Sequence, residues 1–492
     1  MPFALPAALW LTDRWHDALA VVLVLIVIRP AIDLIRFATA TPAARRHYPG
    51  MIRARHRWHW LCRCTGLAPP ELAAKNRPGA ESRIVLLVLL ATLSRLLAVL
   101  FGIESAERLG KIHYPRARRW RLTDYGWQCD VKTAPRTGRK EVEKQAQHIA
   151  DYWRSVRVGV TQAAPGRLIV RALRDDPLAV PFGPDRCPPG TYEPHQPTVL
   201  YVGRDDFGAD RHLPLRGLTG ITVSGLPGYG KTSLINSWLC QLAPTPAVQF
   251  VLLDGKDGGD QEPWHDRAWR YCGDQLADAL DVLEDAHAEM RQRLRNIARL
   301  CGQSNAWNAG GPTEGLPLLV TVLDECHTYL DIAQHKGDRA METLARRCIS
   351  LVAELIRKGR SVLCLTILAT QKTTGDSIPT SLRDNSGSAI SFALKTTESS
   401  VAALGDAIRE YPGYSPTLLR ETPSGIGTAV TTLTTGTDPF TRLRVPEITE
   451  QWAAARAAAT ARHRRDLDVN ARAVPVLIPG QPPASDLSLP KE

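Results

Sequence analysis

The sequence predicts an α/β fold with a mostly parallel sheet for the larger part of the chain. Apolar, strand-like runs alternate with helical spacing from Leu200 to about Val445. A glycine-bracketed loop, Gly225–Gly230, joins a β-branched run to an amphipathic stretch, and a later apolar run ends in Asp324 and Glu325. Such alternation is typical of parallel strands connected by helices. With 492 residues, the chain is long enough for two or three domains.

Composition and charge narrow the class of protein. Hydrophobic residues make up 44% of the chain and charged residues 23%, which is typical of a globular protein and excludes a disordered one. The net charge of +11 suits a polyanionic partner such as nucleic acid, or an anionic membrane surface. The 10 cysteines are scattered without a CxxC pair. We therefore expect a reducing compartment, without a disulfide framework or a structural zinc site.

The region 1–113 is predicted to be membrane-associated, with hydrophobic helices over 18–37 and 84–103. The second stretch, Ile84–Ile103, has spanning length and one internal charge, Arg95. If both segments cross, the basic loop between them lies on the side opposite the larger C-terminal domain, against the positive-inside tendency. Either one segment crosses, or both enter partly and the loop lies on anionic headgroups. A buried helix of a soluble protein is the alternative. We expect the cell membrane as the location, with the larger C-terminal domain in the cytoplasm.

A small β-α-β-β module is predicted over 114–176. Its elements are a strand in Trp120–Lys132, a helix in Gly138–Val156 and a hairpin in Arg157–Leu173 that turns at Pro165-Gly166. No cluster of catalytic residue types occurs there, so we expect a packing or oligomerisation adaptor. The proline-rich stretch 177–199 is predicted to be a linker.

The stretch "GITVSGLPGYGKTSLINSWL" predicts a phosphate-binding loop between a strand and a helix. Glycines let successive N–H groups turn towards phosphates, and the helix N-terminus adds its positive end. The expected ATP-binding residues are Gly225, Leu226, Pro227, Gly228, Tyr229, Gly230, Lys231, Thr232 and Ser233. Lys231 would neutralise β/γ-phosphate charge, and the Thr232 hydroxyl would bind Mg²⁺. A plain glycine-rich turn is the alternative, which the strand–loop–helix context disfavours.

A second and a third strand end in polar residues that such a site needs. In "LPLLVTVLDECHTYL", Asp324 would hold the water shell of Mg²⁺ across from Thr232, and Glu325 would polarise the attacking water. The alternative is that both acids face solvent. His327 is expected to begin the following helix. Gln371 ends the apolar run "SVLCLTILATQK" and would reach towards the γ-phosphate as a sensor.

Taken together, these motifs resemble the FtsK/SpoIIIE family of DNA-pumping ATPases. "TGITVSGLPGYGKTSLINSWL", "VLLDGKDG", "EMRQRLRNIARLCGQSNAWN", "LPLLVTVLDECHTYL" and "LIRKGRSVLCLTILATQK" follow in the family's order over roughly Leu200–Val445. The resemblance implies a RecA-like motor that forms a hexameric ring and moves double-stranded DNA through its channel. It also implies that Gly225–Thr232 bind phosphates, Asp324 holds Mg²⁺, Glu325 activates water and Gln371 is the sensor. The N-terminal region more loosely resembles short FtsK-like transfer proteins of actinomycete conjugative plasmids.

Two features depart from the family. The family usually carries Thr-Arg before the strand that follows the glutamine motif, but Asp384–Leu394 has no arginine. Arg357, Arg360 and Arg383 are the alternatives for an arginine acting on a neighbouring subunit. The second departure is that residues 446–492 offer a helix, Glu447–Leu467, and a polar tail predicted to be disordered, instead of a winged-helix module. That helix either contacts DNA or caps the sheet.

The sequence therefore predicts a membrane-attached, ATP-driven translocase of double-stranded DNA, serving the transfer of a conjugative plasmid or element. Its expected cofactors are ATP and Mg²⁺, and its expected partners are DNA, the membrane and five further copies of the chain. Lys256, Lys372 and Arg383 are expected on the pore side. An FtsK-like ATPase that drives protein secretion is the alternative, although type VII secretion ATPases usually carry several motor domains in tandem. A P-loop kinase or regulator is a third possibility, disfavoured by Glu325.

Overall fold

The structure, a computed structural model, divides into two compact units, Met1–Asp176 and Pro177–Glu492. It describes residues 29–67, 114–256, 259–372, 378–433 and 439–467. Within these ranges, no helix is long and apolar enough to span a bilayer. The predicted hydrophobic segment 84–103 and residues 18–28 of the first segment lie outside the described residues.

The described end of the first hydrophobic segment differs from the prediction. Helix α1 (Arg29–Thr39) carries exposed Ile32, Leu34 and Ile35 on one side. On another side, Asp33 accepts a hydrogen bond of 2.7 Å from the Arg55 guanidinium. This part is thus a short amphipathic helix, and a membrane helix over 18–37 is not supported among the described residues, because polar residues follow Ile28 at helical spacing.

The first unit contains a four-stranded antiparallel sheet in the order β1-β2-β4-β3. The strands are β1 (Arg116–Thr123), β2 (Gly126–Lys132), β3 (Arg157–Ala164) and β4 (Arg167–Leu173). The helices are α2 (Pro42–Arg45), α3 (Tyr48–Cys64), α4 (Arg139–Lys144) and α5 (Ala146–Trp153).

The predicted β-α-β-β order is therefore wrong by one strand. The stretch Trp120–Lys132 is a hairpin, with Thr123 paired to Gly126 across a two-residue turn. The alternation is interrupted at Thr123-Asp124, two consecutive polar residues, and this short interruption was the available sign of the turn. Gly126 also has a steric role, because a Cβ there would lie 2.0 Å from the Ala172 carbonyl oxygen.

Helix α3 packs in the core of this first unit. Its Met51, Ala54 and Trp58 are buried together with Trp127 of β2 and Trp153 of α5. The rings of Trp58 and Trp153 lie 5.7 Å apart, and the Trp58 indole donates a 2.7 Å hydrogen bond to the Pro115 carbonyl. The structure thus places part of the region 1–113 in the same core as the module 114–176.

The second unit contains a ten-stranded sheet in the order β6-β5-β14-β13-β12-β7-β11-β10-β8-β9. The strands are β5 (Val199–Asp205), β6 (Asp210–Pro214), β7 (Gly220–Ser224), β8 (Val248–Asp254), β9 (Arg270–Cys272), β10 (Leu318–Asp324), β11 (Cys364–Thr370), β12 (Ser388–Ser391), β13 (Thr428–Thr431) and β14 (Thr441–Arg444). The helices are α6 (Lys231–Leu242), α7 (Leu276–Cys301), α8 (His327–Leu330), α9 (Arg339–Lys358), α10 (Thr380–Asn385), α11 (Thr397–Leu404) and α12 (Glu450–Thr460).

The strands from β12 to β9 are parallel, and β13, β14, β5 and β6 extend the sheet in antiparallel pairs. Every residue of β7, β8, β10 and β11 is buried, as expected for parallel strands covered on both faces. The predicted α/β fold with a mostly parallel sheet is confirmed. Register pairs Asp324 with Asp254 and Thr370 with Ser224. The carboxyl ends of these four strands therefore meet at one edge.

Residues flanking this sheet pack on the same unit. The backbone N–H of Glu447 donates to the carbonyl of buried Phe182, at 2.8 Å. Tyr192 meets Trp452 of α12 edge to face, with ring centroids 4.9 Å apart. The stretch predicted as a linker is thus partly buried against the second unit. Helix α12 buries its alanine face, which favours the capping alternative for this segment.

Candidate nucleotide site

The loop after β7 requires glycine for two different reasons. At Gly225 a Cβ would lie 2.6 Å from the Phe392 Cβ, so the chain can pass there only without a side chain. Gly228 and Gly230 have φ angles of +78° and +107°, a left-handed region that favours glycine. The Leu226 N–H donates to the Ala393 carbonyl at 2.9 Å, which fixes the start of the loop against the segment that follows β12.

Helix α6 begins directly after this loop, at Lys231. The N–H groups of a first helical turn have no intrahelical acceptors, and the helix dipole makes this end positive. The loop and helix end together form a cradle that could hold phosphates. The Ser233 hydroxyl is bound to the segment before α12 instead. It donates to the Pro446 carbonyl at 2.9 Å and accepts from the Ile448 N–H at 2.7 Å.

Lys231 joins the loop to the acids at the end of β10. Its ammonium forms a short hydrogen-bonded ion pair with Glu325 and lies 3.4 Å from Asp324 Oδ1. All three side chains are buried. Burial strengthens the attraction between these charges, so the structure brings together the lysine and the two acids that the sequence placed in one site.

Glu325 occupies a strained position. Its φ of +48° lies in the left-handed region, which costs a non-glycine residue about 1–2 kcal/mol. Its Oε2 accepts the Gln371 backbone N–H at 2.9 Å and lies 3.4 Å from His327 Nδ1. Burial by itself raises the pKa of the Glu325 carboxyl, but the hydrogen bond from His327 and the charge of Lys231 outweigh it and hold the pKa at about 2. The carboxylate is therefore ionised at neutral pH.

Asp324 leaves one oxygen available. Its Oδ1 accepts the Glu325 N–H at 3.0 Å, whereas its Oδ2 is buried and has no hydrogen-bond partner among the described residues. Burial raises the pKa of the Asp324 carboxyl, and the charge of Lys231 opposes that shift. A buried carboxylate oxygen without a hydrogen bond destabilises the fold unless a bound ligand interacts with it.

Asp260 is a site residue that the sequence analysis missed. Its Oδ2 accepts the Thr232 hydroxyl at 2.7 Å and the Lys256 ammonium at 2.8 Å. Burial tends to raise the pKa of the Asp260 carboxyl, but these two hydrogen bonds lower it below its ordinary value. The cluster of acids in "DGKDGGD", directly after a strand parallel to the acid strand, was the available indication.

The segment after β8 is held by Asp254, the residue paired with Asp324. The buried Asp254 carboxylate accepts the backbone N–H groups of Lys256, Gly259 and Gln261, at 3.2, 3.0 and 3.3 Å. These hydrogen bonds turn the chain so that Asp260 reaches Thr232. Asp254 is thus a positioning residue of the site.

The donor set fits a magnesium ion. The unpartnered Oδ2 of Asp324 and the Thr232 hydroxyl are oxygen ligands of the kind that Mg²⁺ prefers, and Mg²⁺ is usually bound by one or two carboxylates together with phosphates and water. Asp260 accepts a hydrogen bond from the Thr232 hydroxyl, which leaves the lone pairs of that hydroxyl available. Thr232 and Asp324 are therefore the residues that could hold the metal.

Other predicted residues have partners within the chain. Gln371 contacts Glu325 through its backbone, so this contact does not depend on the glutamine side chain. The Lys372 ammonium donates to Asp331 at 2.7 Å, and the Arg383 guanidinium donates to the Ala402 carbonyl at 2.8 Å. Arg357 and Arg360 are both exposed.

Several solved structures are similar to this chain. The pCW3 conjugation coupling protein TcpA, in a monomer form with ATPγS, is 15% identical over 70% of this chain and 93% of TcpA, with a TM-score of 0.49. The cytoplasmic domain of the type VII secretion ATPase EccC of Thermomonospora curvata is 19% identical over 59% of this chain and 34% of EccC, with a TM-score of 0.42. The DNA-packaging ATPase B204 of Sulfolobus turreted icosahedral virus is 13% identical over 47% of this chain and 98% of B204, with a TM-score of 0.28.

The chain matches no protein-family model and no curated protein sequence. A glycine loop at a helix N-terminus, with its lysine bound to two buried strand-end acids, is the arrangement of a nucleotide-hydrolysing site. The chain is a P-loop ATPase.

Proposed function

We propose that this chain is an ATP-driven translocase of double-stranded DNA, attached to the membrane and working as a homo-hexamer in the transfer of a plasmid or element between cells. The observation that carries the proposal is the shared contact at Glu325, which binds both Lys231 of the phosphate loop and the backbone N–H of Gln371. One carboxylate thus connects the nucleotide loop to the adjacent strand β11. A motor needs such a connection between nucleotide and moving structure.

ATP would change the partners of this carboxylate. The loop N–H groups and the Lys231 ammonium would bind the β- and γ-phosphates, whose negative charge competes with Glu325 for the lysine. Glu325, once released, would orient a water molecule towards the γ-phosphate and polarise it as a base. Losing the nearby ammonium also raises the carboxyl pKa from its low value, which makes Glu325 a better proton acceptor.

Thr232 and Asp324 would hold Mg²⁺, and Asp260 would orient the Thr232 hydroxyl by accepting its hydrogen bond. The bound ion would supply neutralisation of phosphate charge. The proposed role of Gln371 is to report the state of Glu325 to β11, through the backbone hydrogen bond of 2.9 Å. Its side chain remains a proposed contact of the γ-phosphate.

Duplex DNA as the cargo is supported by the ordered set of motifs between Leu200 and Val445 and by the net charge of +11. Contacts to phosphates would make binding largely independent of sequence and sensitive to salt. The proposed membrane attachment is supported by the apolar stretch Ile84–Ile103 of the sequence.

ATP hydrolysis by the full chain, with and without linear duplex DNA, tests this function. We expect duplex DNA to stimulate turnover, and we expect Lys231→Ala and Glu325→Gln to lower it by about 100-fold or more, because each removes a group acting on the transferred phosphate. Lys336→Ala and Glu447→Gln, which change exposed residues of the same types, should keep the wild-type rate.

Two results would contradict the proposal in different ways. If DNA does not stimulate ATP turnover, and both site variants abolish it, the chain is a P-loop ATPase with another cargo. Protein secretion would then be the favoured function. Turnover that survives Lys231→Ala would mean that hydrolysis occurs elsewhere, and the site itself would be wrong.

A further inference from the structure

The four-stranded sheet of the first unit has one face that no helix among the described residues covers. Alternate residues of β2 and β4, including Trp127, Val131 and Val170, are buried against residues of α4 and α5 such as Val142 and Ile149. Successive side chains of a strand point to opposite sides. The intervening positions therefore form the other face of the sheet, which we call the outer face.

Basic residues dominate the outer face. They come from all four strands: Arg116, Arg118 and Arg121 of β1, Lys132 of β2, Arg157 of β3, and Arg167 and Arg171 of β4. Asp130 is the acid among these outward positions. Arg119, at a β-bulge with φ of +50°, lies 3.7 Å from Asp130 and adds a further positive charge.

The cations of the outer face are largely accessible. Arg116, Arg118, Arg121, Lys132 and Arg167 are exposed in the part of the chain that the structure describes. A shallow depression of about 220 Å³ lies among them, lined by Arg116, Arg118, Arg119, Asp130, Lys132 and Arg167. Asp130 cannot neutralise so many neighbours, so the face carries a positive potential.

Protection of a sheet edge does not explain this distribution. Charged residues on an edge strand such as β1 discourage pairing with another chain. That purpose needs charges only on the edge strands β1 and β3, whereas cations also occur on the interior strands β2 and β4. Like charges on adjacent strands destabilise a sheet, so we infer that a polyanionic ligand compensates for them.

The chemistry of the outer face favours duplex DNA among polyanions. Its outward positions hold no aromatic side chain, and aromatic side chains are what stack on unpaired bases. The large apolar residues at these positions are Ile169, which is half-buried, and Leu173, which is buried. Neither is an exposed apolar anchor of the kind that membrane-surface elements combine with their cations. Arginines that offer only charge and N–H donors suit a phosphate backbone.

We propose that the outer face of the four-stranded sheet is a sequence-independent binding surface for the phosphate backbone of duplex DNA, separate from the ATPase unit. The identity of the ligand as DNA rests on the proposed function. The surface would raise the affinity of the chain for its cargo without taking part in ATP hydrolysis.

Binding of the full chain to a 40-base-pair duplex, followed by fluorescence anisotropy from 50 to 300 mM salt, tests this proposal. The variant Arg116→Gln/Arg118→Gln/Arg121→Gln should bind about 10-fold or more weakly at 100 mM salt. The slope of log K against log salt should fall by about 2 to 3, because each phosphate contact contributes about 0.9. The matched control Arg53→Gln/Lys140→Gln/Lys144→Gln removes the same charge from exposed helical positions and should bind like wild type.

A conservative variant guards against a folding defect. Arg116→Lys/Arg118→Lys/Arg121→Lys keeps the charge and should retain most of the wild-type affinity and slope. The proposal is overturned if the glutamine variant keeps the wild-type slope, or if both triple-glutamine variants lose affinity equally. It is also overturned if the glutamine variant binds DNA normally but no longer binds vesicles of anionic lipid, since the face would then serve headgroups.

ATP hydrolysis separates this proposal from the proposed function. The outer-face glutamine variant should keep its basal and maximal rates while the DNA concentration for half-maximal stimulation rises. If DNA stimulates no chain at all, the translocase proposal fails, and the anisotropy measurement still decides whether the outer face binds duplex.

Discussion

At the residue scale, Asp260 determines how Thr232 presents its hydroxyl. A hydroxyl that donates its proton to one oxygen turns its lone pairs away from that oxygen, and the 2.7 Å hydrogen bond fixes this orientation. Lys256 keeps Asp260 in place from the other side. Partners that orient a metal ligand affect metal affinity although they do not touch the ion.

Asp260→Asn should therefore lower the affinity of the nucleotide site for Mg²⁺. The amide oxygen can still accept from Thr232, but the negative charge and the ion pair with Lys256 are lost. We expect the Mg²⁺ concentration for half-maximal binding of ATPγS to rise about 10-fold or more, measured by fluorescent-nucleotide competition. Asp266→Asn, at an exposed acid of the same segment, should leave it unchanged. An equal rise in both variants would exclude a specific role for Asp260.

At the element scale, the site depends on how closely β8 approaches β10 where both strands end. Gly255 follows β8, and its N–H donates to the Asp324 carbonyl at 3.0 Å. A Cβ at Gly255 would lie 2.8 Å from the Asp324 carbonyl oxygen and 2.9 Å from that of Glu325. The backbone of both acids is thus held against a position that has room for glycine only.

Gly255→Ala should displace the acid strand end and impair hydrolysis. We expect a loss of about 1–3 kcal/mol in the free energy of unfolding, typical of overpacking, together with at least a 10-fold lower turnover. Gly315→Ala, where no atom lies within 4 Å of the added Cβ, is the control and should change both quantities little. Chemical denaturation and steady-state ATPase assays measure them. Wild-type turnover in Gly255→Ala would mean that the acids tolerate displacement.

At the scale of the whole molecule, the nucleotide site lies within the second unit. Every described residue of the phosphate loop and the acid pair belongs to Pro177–Glu492, and each unit has its own hydrophobic cluster. A ligand stabilises the structure that binds it, by about 2.7 kcal/mol at 100 times its dissociation constant.

Scanning calorimetry should therefore show two unfolding transitions, of which ATPγS with Mg²⁺ raises only one. The expected shift is a few degrees, given the size of the second unit. Lys231→Ala should abolish the shift without moving the other transition. A single transition that moves as a whole with nucleotide would show that the two units unfold together.

Much of the second unit could be predicted from the sequence. The strands β7, β8, β10 and β11 are apolar runs without alternation, and the glycines and acids at their ends are local in the chain. The first unit was harder, because the two-residue turn at Asp124-Tyr125 interrupts the alternation of its stretch only briefly, at Thr123-Asp124. Local patterns report which residues face a core, but not where a strand reverses.

The sequence by itself determined the phosphate loop, the acid pair Asp324 and Glu325, and the α/β class, because each depends on residue types adjacent in the chain. Only the tertiary structure decided that Asp260 binds Thr232, that Gln371 contacts Glu325 through its backbone, and that cations of four strands share one face. These contacts join residues from different strands and loops. Sheet order and register determine such distances, and no local pattern specifies them.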